Sequence, residues 1–148
     1  MTRWLDTEQQ RIWRSWLLGV ARINSVLTDF LRPHNLDLAE YEILVVLSES
    51  EQRRMRMSDL ALQVHQSRSR LTHTVSRLEA EGLVARARTC DDGRGVYATL
   101  TDDGYAKLVE AAPSHVESVR KIFIDAVARE DFEALGRAMA AVLATEIE

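Results

Sequence analysis

Cysteine, proline and glycine are all scarce in this chain. A single cysteine, Cys90, stands among 148 residues, so no disulfide can form within the chain and a fold stapled by disulfides is excluded. With two prolines and six glycines there is no low-complexity tract and no flexible linker. No apolar run approaches the roughly 18 residues that a membrane span needs. The opening residues, Met1 to Asp6, lack an apolar core followed by small residues, so no secretion signal is read there. These absences set the expectation of a cytoplasmic protein with no membrane partner. The four histidines, His34, His65, His73 and His115, show no ligand spacing with one another or with Cys90, so no metal is expected. There is no phosphate loop, no nucleophile motif and no His-Glu-x-x-His pattern, so neither an enzyme nor a cofactor is expected.

What is present is the balance of one ordinary globular domain, 46% hydrophobic and 28% charged. The net charge is −4, but it is unevenly spread. From Gln52 to Thr101 there are nine arginines against five acids, whereas the remainder holds ten basic and eighteen acidic residues. A basic middle between acidic ends suits a DNA-reading lobe on an acidic scaffold, although charge blocks are often only solvated surface.

Thr7-Glu8-Gln9-Gln10 reads as a capping box, with Thr7 as cap and Gln10 reaching back. Apolar residues then recur at Ile12, Trp13, Trp16, Leu17, Val20, Ile23, Leu27, Phe30 and Leu31, which predicts a helix of about six turns ended by Pro33 and Asn35. So long a single stripe is either a core helix or a dimer interface. Asp37 caps a second helix over Leu38 to Ser48, and Glu49 to Arg56 reads as a polar loop. Ser58 caps a short helix, His65-Gln66 makes a turn, and Ser67 caps the next helix, with Leu71, Val75 and Leu78 inward and Gly82 ending it. Leu83 to Arg88 and Val96 to Leu100 form a hairpin. Thr101 caps a helix running toward Arg129 that Pro113 should kink or interrupt, and a last helix spans about Asp131 to Glu146. The fold class is mainly α with a small β-hairpin wing.

Two short helices joined by a tight turn and followed by a two-stranded wing make a winged helix-turn-helix. The helix after Ser67 is the candidate reader. Once its inward residues are removed, it presents Ser67, Arg68, Ser69, Arg70, Thr72, His73, Thr74, Ser76 and Arg77. Its first two turns carry no acid; Glu79 and Glu81 lie at the far end. Arginine can make a two-pronged contact with guanine, hydroxyls and a helix N-terminus can hold phosphates, and the major groove admits such a helix. The wing adds Arg86, Arg88 and Arg94, and an arginine can lie in the adjacent minor groove. Asp92 either orients a wing arginine, with Arg94 the minor-groove residue, or is a plain turn residue.

The stretch Ser58-Asp-Leu-Ala, Ser67 to Glu79 and Glu81-Gly-Leu-Val-Ala-Arg86 resembles the recognition segment of the MarR (multiple antibiotic resistance regulator) family. Asp92-Gly93-Arg94, with Leu100-Thr101 and Gly104 after it, is similar to that family's wing motif. The resemblance implies a homodimer in which the N-terminal helix and the last two helices of each chain intertwine. That selects the interface reading for Trp13, Trp16, Leu17 and Val20, and for Phe132, Leu135, Met139 and Leu143. It divides the chain into a DNA lobe at about 37–101 and a dimerisation region at about 7–32 and 102–148. It gives Arg94 the wing-tip role and Asp92 the supporting one. It further implies repression of genes near the protein's own on a pseudo-palindromic duplex, and release of DNA by a small aromatic acid whose contact residues are unknown. Family members that sense oxidants carry a cysteine near the N-terminal helix; Cys90 lies instead in the wing and reads as an incidental loop residue.

Overall fold

The protein is described by a computed structural model, in which residues 1–88 and 95–147 are placed. Cys90, Asp92 and Arg94, assigned to the wing tip from sequence, lie outside the described residues. Those residues form six α-helices and three strands: α1 Thr7–Leu31, α2 Leu38–Glu49, β1 Arg54–Arg56, α3 Met57–Gln63, α4 Arg68–Ala80, β2 Val84–Arg88, β3 Val96–Leu100, α5 Asp102–Val119 and α6 Arg129–Leu143. The chain divides into two compact units. The first comprises Met1–Val26 and Val116–Glu148, and the second comprises Leu27–His115. The division falls inside α1 and α5 rather than at their ends.

In the second unit, the sequence pattern explains most of the elements. Asp37 caps α2, its carboxylate accepting from the Glu40 amide at 2.7 Å. Ile43, Leu44 and Leu47 are fully buried and meet Leu60 of α3 and Leu71, Val75 and Leu78 of α4 in one core. Gly82 takes φ 75°, where a Cβ is disfavoured, and the Leu83 amide closes back on the Leu78 carbonyl at 3.0 Å, ending α4.

Four details differ from the sequence reading. Asp6, not Thr7, caps α1: its carboxylate accepts from the Gln9 amide at 2.8 Å, and the Gln9 side chain accepts from the Asp6 amide at 3.0 Å. The capping box is therefore Asp6 and Gln9, one residue earlier, because a carboxylate fills the same role as a hydroxyl. The expected loop before α3 contains β1, an edge strand that pairs antiparallel with β3 and gives the sheet order β1-β3-β2. Three residues are too few to show a period of two, so pairing with β3 rather than local pattern makes this strand. Helix α3 starts at Met57 with Ser58 already inside it and no side-chain cap. Finally, α5 continues as helix past Pro113, which therefore does not interrupt it, and ends in a wide π turn at Arg120–Ile124. Proline inside a helix costs about 3 kcal/mol. Here Leu108 and Ala111 are buried before it, and His34 reaches Glu110 at 3.2 Å and Ser114 at 3.0 Å on either side of it. Tertiary contacts on both flanks offset the lost bond.

The first unit contains most of α1, the end of α5 and α6. Phe123 and Phe132 meet edge to face with centroids 5.4 Å apart. No residue of α6 is buried. Among the described residues no helix is long and apolar enough to cross a membrane.

The junction between wing and α5 hangs on Thr101 and Gly104. The Thr101 hydroxyl donates to the Gly82 carbonyl at 2.7 Å and accepts from the Gly104 amide at 3.0 Å, so one side chain joins the end of α4 to the start of α5. A Cβ on Gly104 would strike the carbonyl oxygen of Leu83 and the Leu100 side chain. Gly104→Ala is expected to lower unfolding stability by about 1–3 kcal/mol, read as a lower urea midpoint at unchanged slope. A variant as stable as the parent would refute the close approach.

Candidate nucleic-acid interface

Helix α4 is amphipathic in a way that separates what holds it from what it offers. Leu71, Thr74, Val75 and Leu78 are buried. The chain enters α4 through His65 at φ 53°, and Ser67, extended at φ −64° and ψ 154°, caps it by accepting from the Arg70 amide at 3.3 Å. Thr74 belongs with the buried set, although the sequence reading placed it on the outer face. Its hydroxyl is satisfied by the Arg70 carbonyl at 3.0 Å, which lets a polar side chain stand at 2% exposure. Ser67, Arg68, Ser69, Arg70, Thr72 and His73 are exposed together on the N-terminal two turns. Thr72 and Ser76 donate within the helix, to the carbonyls of Arg68 and Thr72, each at 2.8 Å.

The arginines divide into two groups. Among the described residues no carboxylate pairs with Arg68, Arg70 or Arg88, so their guanidinium groups are available to an outside anion. Arg77 is not free in that sense: it lies 3.2 Å from Asp37 and 3.9 Å from Glu40, both on α2. Arg86 reaches back from β2 to α4, 3.0 Å from the Glu79 carboxylate and 3.1 Å from the Ser76 hydroxyl. The two arginines, and Ser76 with them, serve ties within the lobe rather than standing open like Arg70. Position along the sequence could not reveal this, because the partners of Arg77 lie some forty residues away.

The structure adds a basic feature that sequence reasoning missed. Arg54 and Arg56 of β1 sit over the Tyr97 ring at 4.9 and 5.4 Å, and Arg53 sits over Tyr105 at 3.9 Å. Arg56 and Arg68 also line a cleft of about 300 Å³ beside Ser58 and Thr72. Cationic groups thus flank α4 on the β1 side as well as on the β2 side. The alternation Arg54-Met55-Arg56-Met57 was the available signal, hidden by the strand's length. Among the described residues no group of three His, Cys, Asp or Glu side chains converges as a metal site.

Glu40 is the unusual carboxylate behind this face. It is buried at 6% exposure next to Asp37, and burial, reinforced by the Asp37 charge and hydrogen bond, raises its pKa to about 7 despite the Arg77 guanidinium. The folded state therefore binds this proton more tightly than the unfolded chain, where the value is 4.5. The resulting stability is fully present below about pH 4.5 and is lost as pH rises through about 7. Glu40→Gln is expected to raise stability at pH 8 and to flatten its dependence on pH between 5 and 8, measured by chemical denaturation. An unchanged pH profile would show that Glu40 is not the group titrating.

Residues 26–111 match the family model described as transcriptional regulator SarA/Rot. The homoprotocatechuate degradative operon repressor of Escherichia coli is 31% identical over 112 residues, 73% of this chain and 74% of that protein. The fold is similar to AbsC, a MarR family transcriptional regulator of Streptomyces coelicolor, with a TM-score of 0.90 and 44% identity over 96% of each chain. It is likewise similar to Sco3205, a MarR family regulator of the same organism solved in complex with DNA, with a TM-score of 0.92 and 39% identity, covering 97% of this chain and 90% of that one.

Proposed function

Because the chain belongs to the MarR family of winged helix-turn-helix transcriptional regulators, we propose that it is a repressor that binds a pseudo-palindromic duplex as a homodimer, α4 of each copy entering the major groove. The observation that carries this reading is the partition of arginines on α4. Arg68 and Arg70, together with Ser67, Ser69, Thr72 and His73, face outward without carboxylate partners, and no acid stands among them. DNA phosphates and base edges supply the missing anionic and acceptor groups. Arg68 and the hydroxyls of Ser67 and Ser69 suit phosphates, Arg70 and His73 suit base edges, and Arg88 with the wing arginine Arg94 suits the neighbouring minor groove. Asp92 orients Arg94. The DNA lobe at about 37–101 carries all of these. Two copies related by a two-fold axis place their α4 helices about one helical turn apart, so half-sites should repeat at roughly 10 bp.

The reading is of a cytoplasmic regulator without enzymatic activity or cofactor. An effector, a small aromatic acid, is part of the proposal: a relative named for homoprotocatechuate degradation supports that class of ligand. Gel shifts on the DNA upstream of the protein's own gene test the interface. Arg70→Ala should cost about 1–3 kcal/mol and relax base preference. Arg68→Ala should weaken all sequences alike and lower the log-log salt slope by about 1.8, one phosphate contact being lost from each copy. No competitor-resistant shift at low salt by the parent protein would refute operator binding; unchanged affinity in both variants would refute the assigned surface.

Support for the homodimer comes from the first unit. Trp13, Trp16, Leu17, Phe132 and Leu143 are 54%, 38%, 49%, 40% and 84% exposed. Val20, Leu135 and Met139 line an apolar hollow of about 520 Å³ with Trp16 and Phe123. Faces this apolar mark association surfaces. Sedimentation of the parent should give twice the chain mass, and the double variant Leu17→Arg, Leu143→Arg should lose the dimer together with cooperative DNA binding. A parent that sediments as a monomer at micromolar concentration would sink this part of the reading.

A further inference from the structure

The wing must stand at a fixed distance from the reading helix if both are to meet one duplex; β3 is held between β1 and β2, whereas β2 lies at the edge of the sheet. Strand β2 leaves α4 through the turn at Gly82, is paired with β3 along its length and is buried at Val84, and it carries a further tie back to α4 two residues on. The tie is visible at Arg86. Both carboxylate oxygens of Glu79 are engaged by that one residue: Oε2 accepts from the Arg86 backbone amide at 2.9 Å, and Oε1 from its guanidinium at 3.0 Å. The same guanidinium nitrogen donates to the Ser76 hydroxyl at 3.1 Å. In β2, Arg86 pairs with Ala98 of β3, which is buried, so Arg86 projects from the face of the sheet that is turned to the core. Arg88, two residues on and nearer the wing tip, is exposed.

From this geometry we infer that Glu79 and Arg86 are positioning residues for DNA binding: they clasp the wing to the C-terminal half of α4 and thereby set the wing's aim, and Arg86 is not itself a DNA-contacting arginine. The inference rests on the DNA-binding reading above and reassigns one residue within it. It accounts for an acid on a helix that reads DNA. Glu79 is placed six residues beyond His73, the last of the reading residues, where its charge is spent on Arg86. Hydrogen bonding to Arg86 accordingly holds the Glu79 carboxyl below the ordinary glutamate range. The clasp stays closed through neutral pH, since its carboxylate remains ionised there.

The test compares Glu79→Ala, Glu79→Gln and Arg86→Ala with the parent on the same operator fragment. Glutamine keeps an oxygen for the Arg86 amide and loses only the charge, so it serves as the conservative control if alanine folds poorly. Loss of the clasp is expected to weaken operator binding about tenfold in Glu79→Ala, the scale of one charge-assisted hydrogen bond, and less in Glu79→Gln. Minor-groove protection from hydroxyl radicals should fade while protection of guanines in the major groove persists. Arg86→Ala should match Glu79→Ala, with an unchanged salt slope. Two results would overturn the inference. If Glu79→Ala and Glu79→Gln bind as well as the parent or better, removal of an acid has released Arg86 to the phosphates and it is a contact residue after all. If major- and minor-groove protection fade in parallel in both glutamate variants, the pair supports the fold and does not aim the wing. Failure of the parent itself to bind would strike the DNA reading and leave no clasp function to assign.

Discussion

The seating of α4 is the constraint on which the rest of the DNA lobe depends. Leu71, Val75 and Leu78 are almost wholly buried against α2 and α3, each contributing about 1.5–3 kcal/mol by leaving water. Their spacing at i, i+4 and i+7 fixes the rotation of the helix about its axis. With that rotation set, Arg68, Arg70, Thr72 and His73 face outward, and Thr74 and Ser76 face toward the lobe's own atoms. Arg77 pairs with Asp37 of α2, and Arg86 of β2 pairs with Glu79, adding polar ties to that apolar seat. The same core seats its neighbours through Leu44 of α2, Leu60 of α3 and Val84 of β2, and the paired charges add to it.

Much of this arrangement was legible in the sequence, and the reason differs from element to element. Long amphipathic stretches such as α1, and capped ones such as α2 and α4, announce themselves because burial repeats over several turns. Thr101 was legible as a helix cap, and Gly104 only through a motif. Their physical meaning, a hydroxyl bridging two helix ends and a backbone approach with no room for a Cβ, exists only in three dimensions. Strand β1 was missed because it is made by its partner. That Pro113 would not interrupt α5 was not legible, because local propensity carries nothing of the contact of His34 with Ser114 and the burial of Ala111 on either side of it.

The site was legible to a lesser degree. Sequence identifies an arginine but not its counter-ion, and in this lobe the counter-ion decides the role. Arg70 and Arg77 lie seven residues apart on one helix, close to the same face, and read alike. Asp37 and Glu40 distinguish them by meeting only Arg77. The same holds for Arg86 and Arg88, two residues apart in one strand and so on one face of it. Arg86 comes to Glu79, whereas Arg88 is exposed and meets no carboxylate among the described residues. Surface exposure alone would not have sorted them, since a carboxylate within about 3 Å neutralises a guanidinium that remains half accessible.

Helix α6 presents the converse problem, an element whose stability its own chain does not explain. It is 15 residues long with none buried. Isolated helices of about that length are marginal in water, because nucleation is costly and each added residue gains little. Leu135 and Met139 meet Trp16 and Phe123 around an open hollow, while Phe132, Val142 and Leu143 face outward. A helix with this pattern holds only if something apolar covers the outer stripe. In the proposed homodimer, the matching stripe of α1, with Trp13, Leu17 and Leu18 exposed, is the available cover. Folding of α6 and association of two copies then become one equilibrium, and the stability of the first unit depends on protein concentration. The regulator's dimer is, on this argument, a condition of its fold before it is a condition of reading a two-fold operator.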